Sequence, residues 1–151
     1  MSKPGTYILW LELAEESSLG VGSLGKVTFA PGYYAYVGSA LGGLAARLAR
    51  HRRATKRMHW HIDYLLQRAT IREIWHHTGA ERLECAWAQA LARMGGISPG
   101  VRGFGASDCS CATHLFFCRG PISRDAFQAQ LAALGVPGMI ELWEPPVEQG
   151  R

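Results

Sequence analysis

The hydrophobic positions change period several times along the chain, and each change marks an element. Residues Thr6–Leu13, "TYILWLEL", alternate and are rich in strand formers, which predicts an opening strand. Glycines and Pro31 then punctuate two short β-like runs, Gly25–Phe29 and Tyr33–Val37, with a hairpin expected between them. The stretch "ALGGLAARLARHRR" turns helical after its glycines. Leu41, Leu44 and Leu48 form its stripe, and Arg47 and His51, four residues apart, share the edge. "HWHIDYLLQRA" predicts a second helix, "TIREIWHHT" a strand, and "ERLECAWAQALARMGG" a third helix that ends at its glycines. "ISPGVRGFGASDCSC" reads as a glycine-rich loop, "THLFFCRG" as a strand, "SRDAFQAQLAALG" as a helix and "MIELWE" as a final strand, before a tail expected to fray.

This order implies an α+β fold: a small central, mostly antiparallel sheet flanked by helices, with an inserted hairpin and a C-terminal strand-helix-strand extension. The chain has 151 residues, 48% of them hydrophobic, enough for one ordinary core. One domain over residues 1–144 and a tail over 145–151 are expected. No run approaches the roughly 18 apolar residues of a membrane span, and the N-terminal residues lack the basic-then-apolar order of a secretory signal. The expectation is a cytoplasmic protein with no membrane partner. Cys85, Cys109, Cys111 and Cys118 are too few and too clustered for a disulfide frame, so reduced thiols are expected.

Charge changes the picture through its placement. The net charge is +4, yet no Asp or Glu occurs from Ser17 through Ile62, a segment holding Lys26, Arg47, Arg50, Arg52, Arg53, Lys56 and Arg57. Of the 16 Lys+Arg and 12 Asp+Glu, nine basic residues therefore stand against all twelve acids elsewhere, a net −3. Such a local field suits a polyanion such as nucleic acid, or an anionic membrane surface; a solvated helix face is the plain alternative.

A tight glycine turn between a strand and a helix brings a strand-end tyrosine near the first helical turns, so Tyr36, Arg47 and His51 are expected to converge. Taken singly, Tyr7 and Tyr36 read as strand aromatics, Arg47 as a solvated arginine, and Glu84 as an acid complementing a helix dipole. A rival grouping is Cys109, Cys111, His114 and Cys118, four zinc-ligand types. Their spacing is not that of a usual finger or ribbon, "LFF" reads as buried strand, and alternation separates Cys118 and His114 from Cys109 and Cys111. Core and loop cysteines are the preferred reading there.

In their order, the other residues resemble the GIY-YIG nucleases. Gly5-Thr6-Tyr7 stands where that family has its first tripeptide and Tyr36-Val37-Gly38 matches the second, followed by Ser39 and Ala40. Arg47 falls on the family's essential arginine, His51 on its usual histidine, His59 opposite a further active-site histidine of some members, and Glu84 on the metal-binding glutamate. "HWHIDYLL", "ECAWAQAL" and "GFGASDCSCATHLF" resemble an uncharacterised branch also found fused to base-excision glycosylases. The chain departs from the pattern in the long insertion between the tripeptides, in a turn one residue longer before Arg47, and in having no Asn, so that Ser107 or Asp108 could take the place of a late asparagine.

The resemblance implies a metal-dependent endonuclease using Mg²⁺ or Mn²⁺ on nucleic acid, DNA by preference, in repair or processing. The implied catalytic set is Tyr7, Tyr36, Arg47, His51, His59 and Glu84, with Glu84 holding the metal. Gly38, Ser39, Arg50, Arg52, Arg53, Lys56 and Arg57 are the expected nucleic-acid contacts. The residue types suit the chemistry: a tyrosine acidified by neighbouring cations as base, a forked guanidinium for phosphate oxygens, a hard carboxylate for the cation, and histidines to orient water or relay a proton. His61 and Asp63 are open: Asp63 would orient His59 if the run is helical, or pair with His61 if it is extended. The alternatives are an inactive nucleic-acid-binding module working beside a repair enzyme, and a zinc-stabilised interaction domain.

Overall fold

The computed structural model describes residues 3–106 and 109–144, so the expected tail lies outside them. Its centre is β1 (Gly5–Leu13), which pairs antiparallel with β4 (Gly32–Ala40) on one side and β5 (Thr70–Thr78) on the other. Outward from β4 come β7 (Leu115–Cys118) and β6 (Ile97–Pro99), and outward from β5 comes β8 (Glu141–Leu142), giving the order β6-β7-β4-β1-β5-β8 with antiparallel neighbours throughout. The α+β expectation therefore holds, including the C-terminal strand-helix-strand of β7, α4 (Arg124–Ala133) and β8.

Alternation along β1 serves two layers, because both faces of the sheet are covered. Tyr7, Leu9 and Leu11 face α1 (Leu44–Arg52) and the short α2 (His61–Leu65), meeting Leu44, Leu48, Ile62 and Leu65. Ile8 and Trp10 face α3 (Glu84–Ala92) and α4, meeting Trp87, Leu91, Phe127 and Leu131. Each such side chain contributes about 1.5–3 kcal/mol relative to exposure. Gly5 lets α1 approach the start of β1: a Cβ there would stand 2.5 Å from Leu44 Cδ1.

Several expectations change. The run ending at Phe29 does not pair with the Tyr33 run. Instead β3 (Lys26–Phe29) pairs with β2 (Ser17–Gly20) in a separate two-stranded sheet, because β4 is taken up by β1 and β7. Leu41 precedes the helix and is exposed, so Leu44 and Leu48 alone form the stripe. The glycine-rich loop contributes β6 as an edge strand.

The second helix is shorter than its pattern, and His59 lies before it. Asp63 explains why. Its carboxylate, fully buried, accepts from the backbone amides of His59 and Trp60 at 2.9 Å each and from both terminal nitrogens of Arg50 at 2.8 and 2.9 Å. It caps the helix start and orients neither His59 nor His61 through its ring. Burial alone would raise this carboxyl, but Arg50 and the two amides outweigh it and hold the group below its usual range.

Asp63→Ala should cost roughly 3 kcal/mol in urea unfolding at unchanged m, the low end for breaking a buried pair because Arg50 keeps some solvent access. Because the folded pKa is depressed, this contribution is complete above the ordinary carboxylate value of about 4 and fades as pH falls from there through the lower folded value. An acid-unfolding series comparing parent and variant should show the two curves converging in that window.

Candidate functional site

The site is built from the register of β1 against β4. Tyr7 stands opposite Gly38 and Leu9 opposite Tyr36, so the two tyrosines point to the same face, with ring centroids 6.5 Å apart. Gly38 is required by contact: a Cβ there would lie 2.5 Å from Tyr7 Cζ and the Tyr7 hydroxyl. The Tyr7 ring lies over that gap and its oxygen meets His51 Nε2 of α1 at 2.7 Å. Both groups are buried, and His51 Nδ1 has no hydrogen-bond partner among the described residues.

Burial sets the protonation of this group. It pushes both phenols well above their usual value, and the Arg47 guanidinium pulls back only in part. Burial thus outweighs the expected acidification of a tyrosine by neighbouring cations. Burial, reinforced by the Lys56 ammonium, pushes His51 down to about 3. The imidazole is neutral at physiological pH, and the hydrogen between it and Tyr7 runs in the direction its tautomer sets.

Ser39 is where the two layers meet. Its carbonyl accepts from Arg47 Nη1 of α1 at 2.8 Å, and its hydroxyl donates to Glu84 Oε1, on the first residue of α3, at 3.0 Å. The Arg47 and Arg50 guanidinium carbons each lie 4.4 Å from the Trp60 ring centroid, a stacking that holds both forks. Tyr7, Tyr36, Gly38, Ser39, Arg47, His59 and Glu84 line one cleft of about 510 Å³.

Other expected contacts divide. Arg52, Arg53 and Arg57 are exposed at the end of α1 and just beyond it. Arg50 is committed to Asp63 and also donates to the Arg57 carbonyl, and Lys56 donates to the carbonyls of Arg50 and His51 at 3.0 and 2.8 Å. Those two cations hold the end of α1 through these bonds. His59 is exposed at the cleft. His61 Nδ1 accepts from the Gly105 amide at 3.0 Å, tying α2 to the loop before β7. Ser107 and Asp108 lie outside the described residues.

A second cluster adjoins the cleft. Cys85 of α3 with Cys109, Cys111 and His114 bring four potential ligand atoms within 4.8 Å of one another, an arrangement that could hold a metal ion. The cluster differs in one member from the grouping that the sequence suggests. Cys118 is buried in the α3–α4 layer, while Cys85, 24 residues before Cys109, takes its place because the helix start abuts the loop. Burial, with the neighbouring thiols, pushes Cys111 up to about 12, and burial raises Cys85 although its hydrogen bond with Cys111 works the other way, which counts against reactive thiolates. His114, buried, reaches Glu84 Oε2 through Nδ1 at 2.9 Å and Cys109 Sγ through Nε2 at 3.4 Å.

These features define an α+β domain with a polar, tyrosine-floored cleft and an adjoining cluster of metal-ligand side chains. The chain belongs to the family described as domain of unknown function DUF123, matched over residues 6–135. Neither curated proteins nor solved structures give a match. No helix among the described residues is long and apolar enough to cross a membrane.

The low pKa of His51 gives a pH prediction. Unfolded, the imidazole binds a proton at about 6.5; folded, it does so only near 3. Its contribution to stability is therefore whole above about 6.5 and is lost as pH falls towards the folded value. His51→Phe should flatten the fall in urea midpoint between pH 6.5 and 5, and the His51 ring resonances of the parent should not titrate across that range.

Proposed function

We propose that the chain is a phosphodiester hydrolase of the GIY-YIG type, a metal-dependent endonuclease acting on nucleic acid, DNA in the first instance. The observation that supports this most is the convergence of Tyr7, Tyr36, Arg47 and Glu84 on one cleft from β1, β4, α1 and α3, with His51 behind Tyr7. They are the positions the GIY-YIG resemblance singles out.

In this reading the scissile phosphate lies against Arg47, whose planar fork is held by Trp60 and Ser39 and stabilises charge developing on the phosphorus oxygens. Tyr7 is the better-supported base. Its phenol takes a proton from the attacking water while its own passes to His51 Nε2, 2.7 Å away, so no free tyrosinate is needed beforehand. Tyr36, on the same face, orients the water. Glu84 fits a hard divalent cation: it is a carboxylate, 28% exposed, in the cleft, and each of its oxygens keeps acceptor capacity beyond its one hydrogen bond. Bound there with most of its waters, Mg²⁺ or Mn²⁺ would supply positive charge for the leaving oxygen. Arg52, Arg53 and Arg57 give the sequence-independent hold on the backbone, consistent with action on structure in repair or processing.

The test is single-turnover cleavage of branched, nicked and linear DNA with and without Mg²⁺. Arg47→Ala should cost on the order of 10²-fold or more, and Arg47→Lys should restore little. Glu84→Ala should abolish metal-dependent cleavage while leaving binding intact or tighter. Arg53→Ala should lower affinity and reduce the slope of log K against log salt by about one unit, with cleavage of bound DNA unchanged. Arg50 is unsuitable as the binding control, since its loss strands Asp63. Salt-sensitive binding without cleavage of any substrate would favour an inactive binding module partnering a repair enzyme.

A further inference from the structure

We infer that Cys85, Cys109, Cys111 and His114 form a structural zinc site that clamps the β6–β7 loop to α3 and, through His114, orients the carboxylate of Glu84. The donor set is the first argument: three thiols and an imidazole are the soft and borderline ligands zinc takes in closed sites. Distance is the second. A tetrahedron with ordinary Zn–S and Zn–N bonds has edges of about 3.5 to 3.8 Å. Cys109 Sγ and Cys85 Sγ stand 3.4 and 4.0 Å from His114 Nε2, and all four ligand atoms fall within 4.8 Å. Contraction by about an ångström closes the shell around an ion. On binding, three S–Zn bonds and one N–Zn bond form and the three thiol protons leave to solvent.

The third argument is the other side of His114. Zinc-bound histidines commonly give their second ring nitrogen to a carboxylate, which fixes tautomer and ring orientation. Here Nδ1 stands 2.9 Å from Glu84 Oε2, while Nε2 is the atom that faces the thiols. Ligation at Nε2 makes Nδ1 the donor, and Glu84 is then held from two sides, by Ser39 on Oε1 and by His114 on Oε2. The same loop carries Phe104, packed on Tyr36 and His61, and Gly105, whose amide holds His61. The clamp therefore also fixes one wall of the cleft. None of this depends on the nuclease reading, because it concerns what the cluster binds.

The test is metal analysis of the full chain purified without added metal, together with thiol titration and Co²⁺ substitution. About one zinc per chain is expected, with visible bands of a tetrahedral, thiolate-rich Co²⁺ site, and chelation should lower the melting temperature. Cys109→Ser and Cys111→Ser should each lose the metal or bind it at least tenfold more weakly, while Cys118→Ala should retain it. Glu84→Gln should keep the site with affinity lower by roughly 10- to 100-fold, the usual effect of removing the carboxylate behind a ligating histidine. Metal-free protein with reactive thiols, a disulfide among the three cysteines, or zinc retained in the Cys109→Ser/Cys111→Ser double variant would overturn the site. Unchanged affinity in Glu84→Gln would overturn its link to Glu84. If the serine variants fail to fold, the Co²⁺ spectrum of the parent and its reversal by chelator still decide the matter. Zinc content is read independently of cleavage, so a zinc-loaded chain that cuts nothing would support this inference while rejecting the nuclease reading.

Discussion

The structure depends on the register of β1 between β4 and β5. Because side chains alternate with a period of two, a slip of one residue would send Tyr7, Leu9 and Leu11 to the α3–α4 layer and Ile8 and Trp10 to the α1 layer, reversing both cores. Nine residues of β1 pair with nine of β4, and this ladder sets Tyr7 over Gly38. The absence of a side chain at Gly38 is what allows the Tyr7 hydroxyl to reach His51. One glycine thus joins the pairing of two strands to the chemistry at their end.

The cleft sits where that sheet runs out and its two covering layers approach each other. Ser39, at the end of β4, binds α1 through its carbonyl and α3 through its hydroxyl. Hydrogen bonds to charged partners contribute about 1.5–3 kcal/mol each, enough for Ser39 to fix the separation of Arg47 and Glu84. The polar groups here are partly or wholly removed from water, so their bonds both stabilise the fold and position the site.

The basic segment shows why a charge count is a poor guide to free charge. Arg50 and Lys56 serve Asp63 and the end of α1, whereas Arg52, Arg53 and Arg57 face solvent. Asp63, the first acid after the acid-free stretch, is what the segment closes on. Sequence shows that a cation is present; only folding shows whether a buried anion or a carbonyl has already taken it.

Most strands and helices were legible in the order and type of their residues, β1 as a run of strand formers and α4 as a helix with one apolar face, whereas β2 and β6 were too short to leave such a signature. The glycines at positions 5 and 38 and the order of tyrosine, arginine, histidine and glutamate stood out through the family resemblance, which rests on their order along the chain. The partner of β3 was not legible, since two short strands look alike whichever neighbour they choose. Nor was the shortening of the second helix, set by Asp63 meeting Arg50 across 13 residues. The membership of the Cys-His cluster escaped for the same reason. Cys118 is grouped with the others only by nearness in sequence, whereas Cys85 joins Cys109 and Cys111 because α3 begins beside the loop, a contact between segments distant in sequence that no local period encodes.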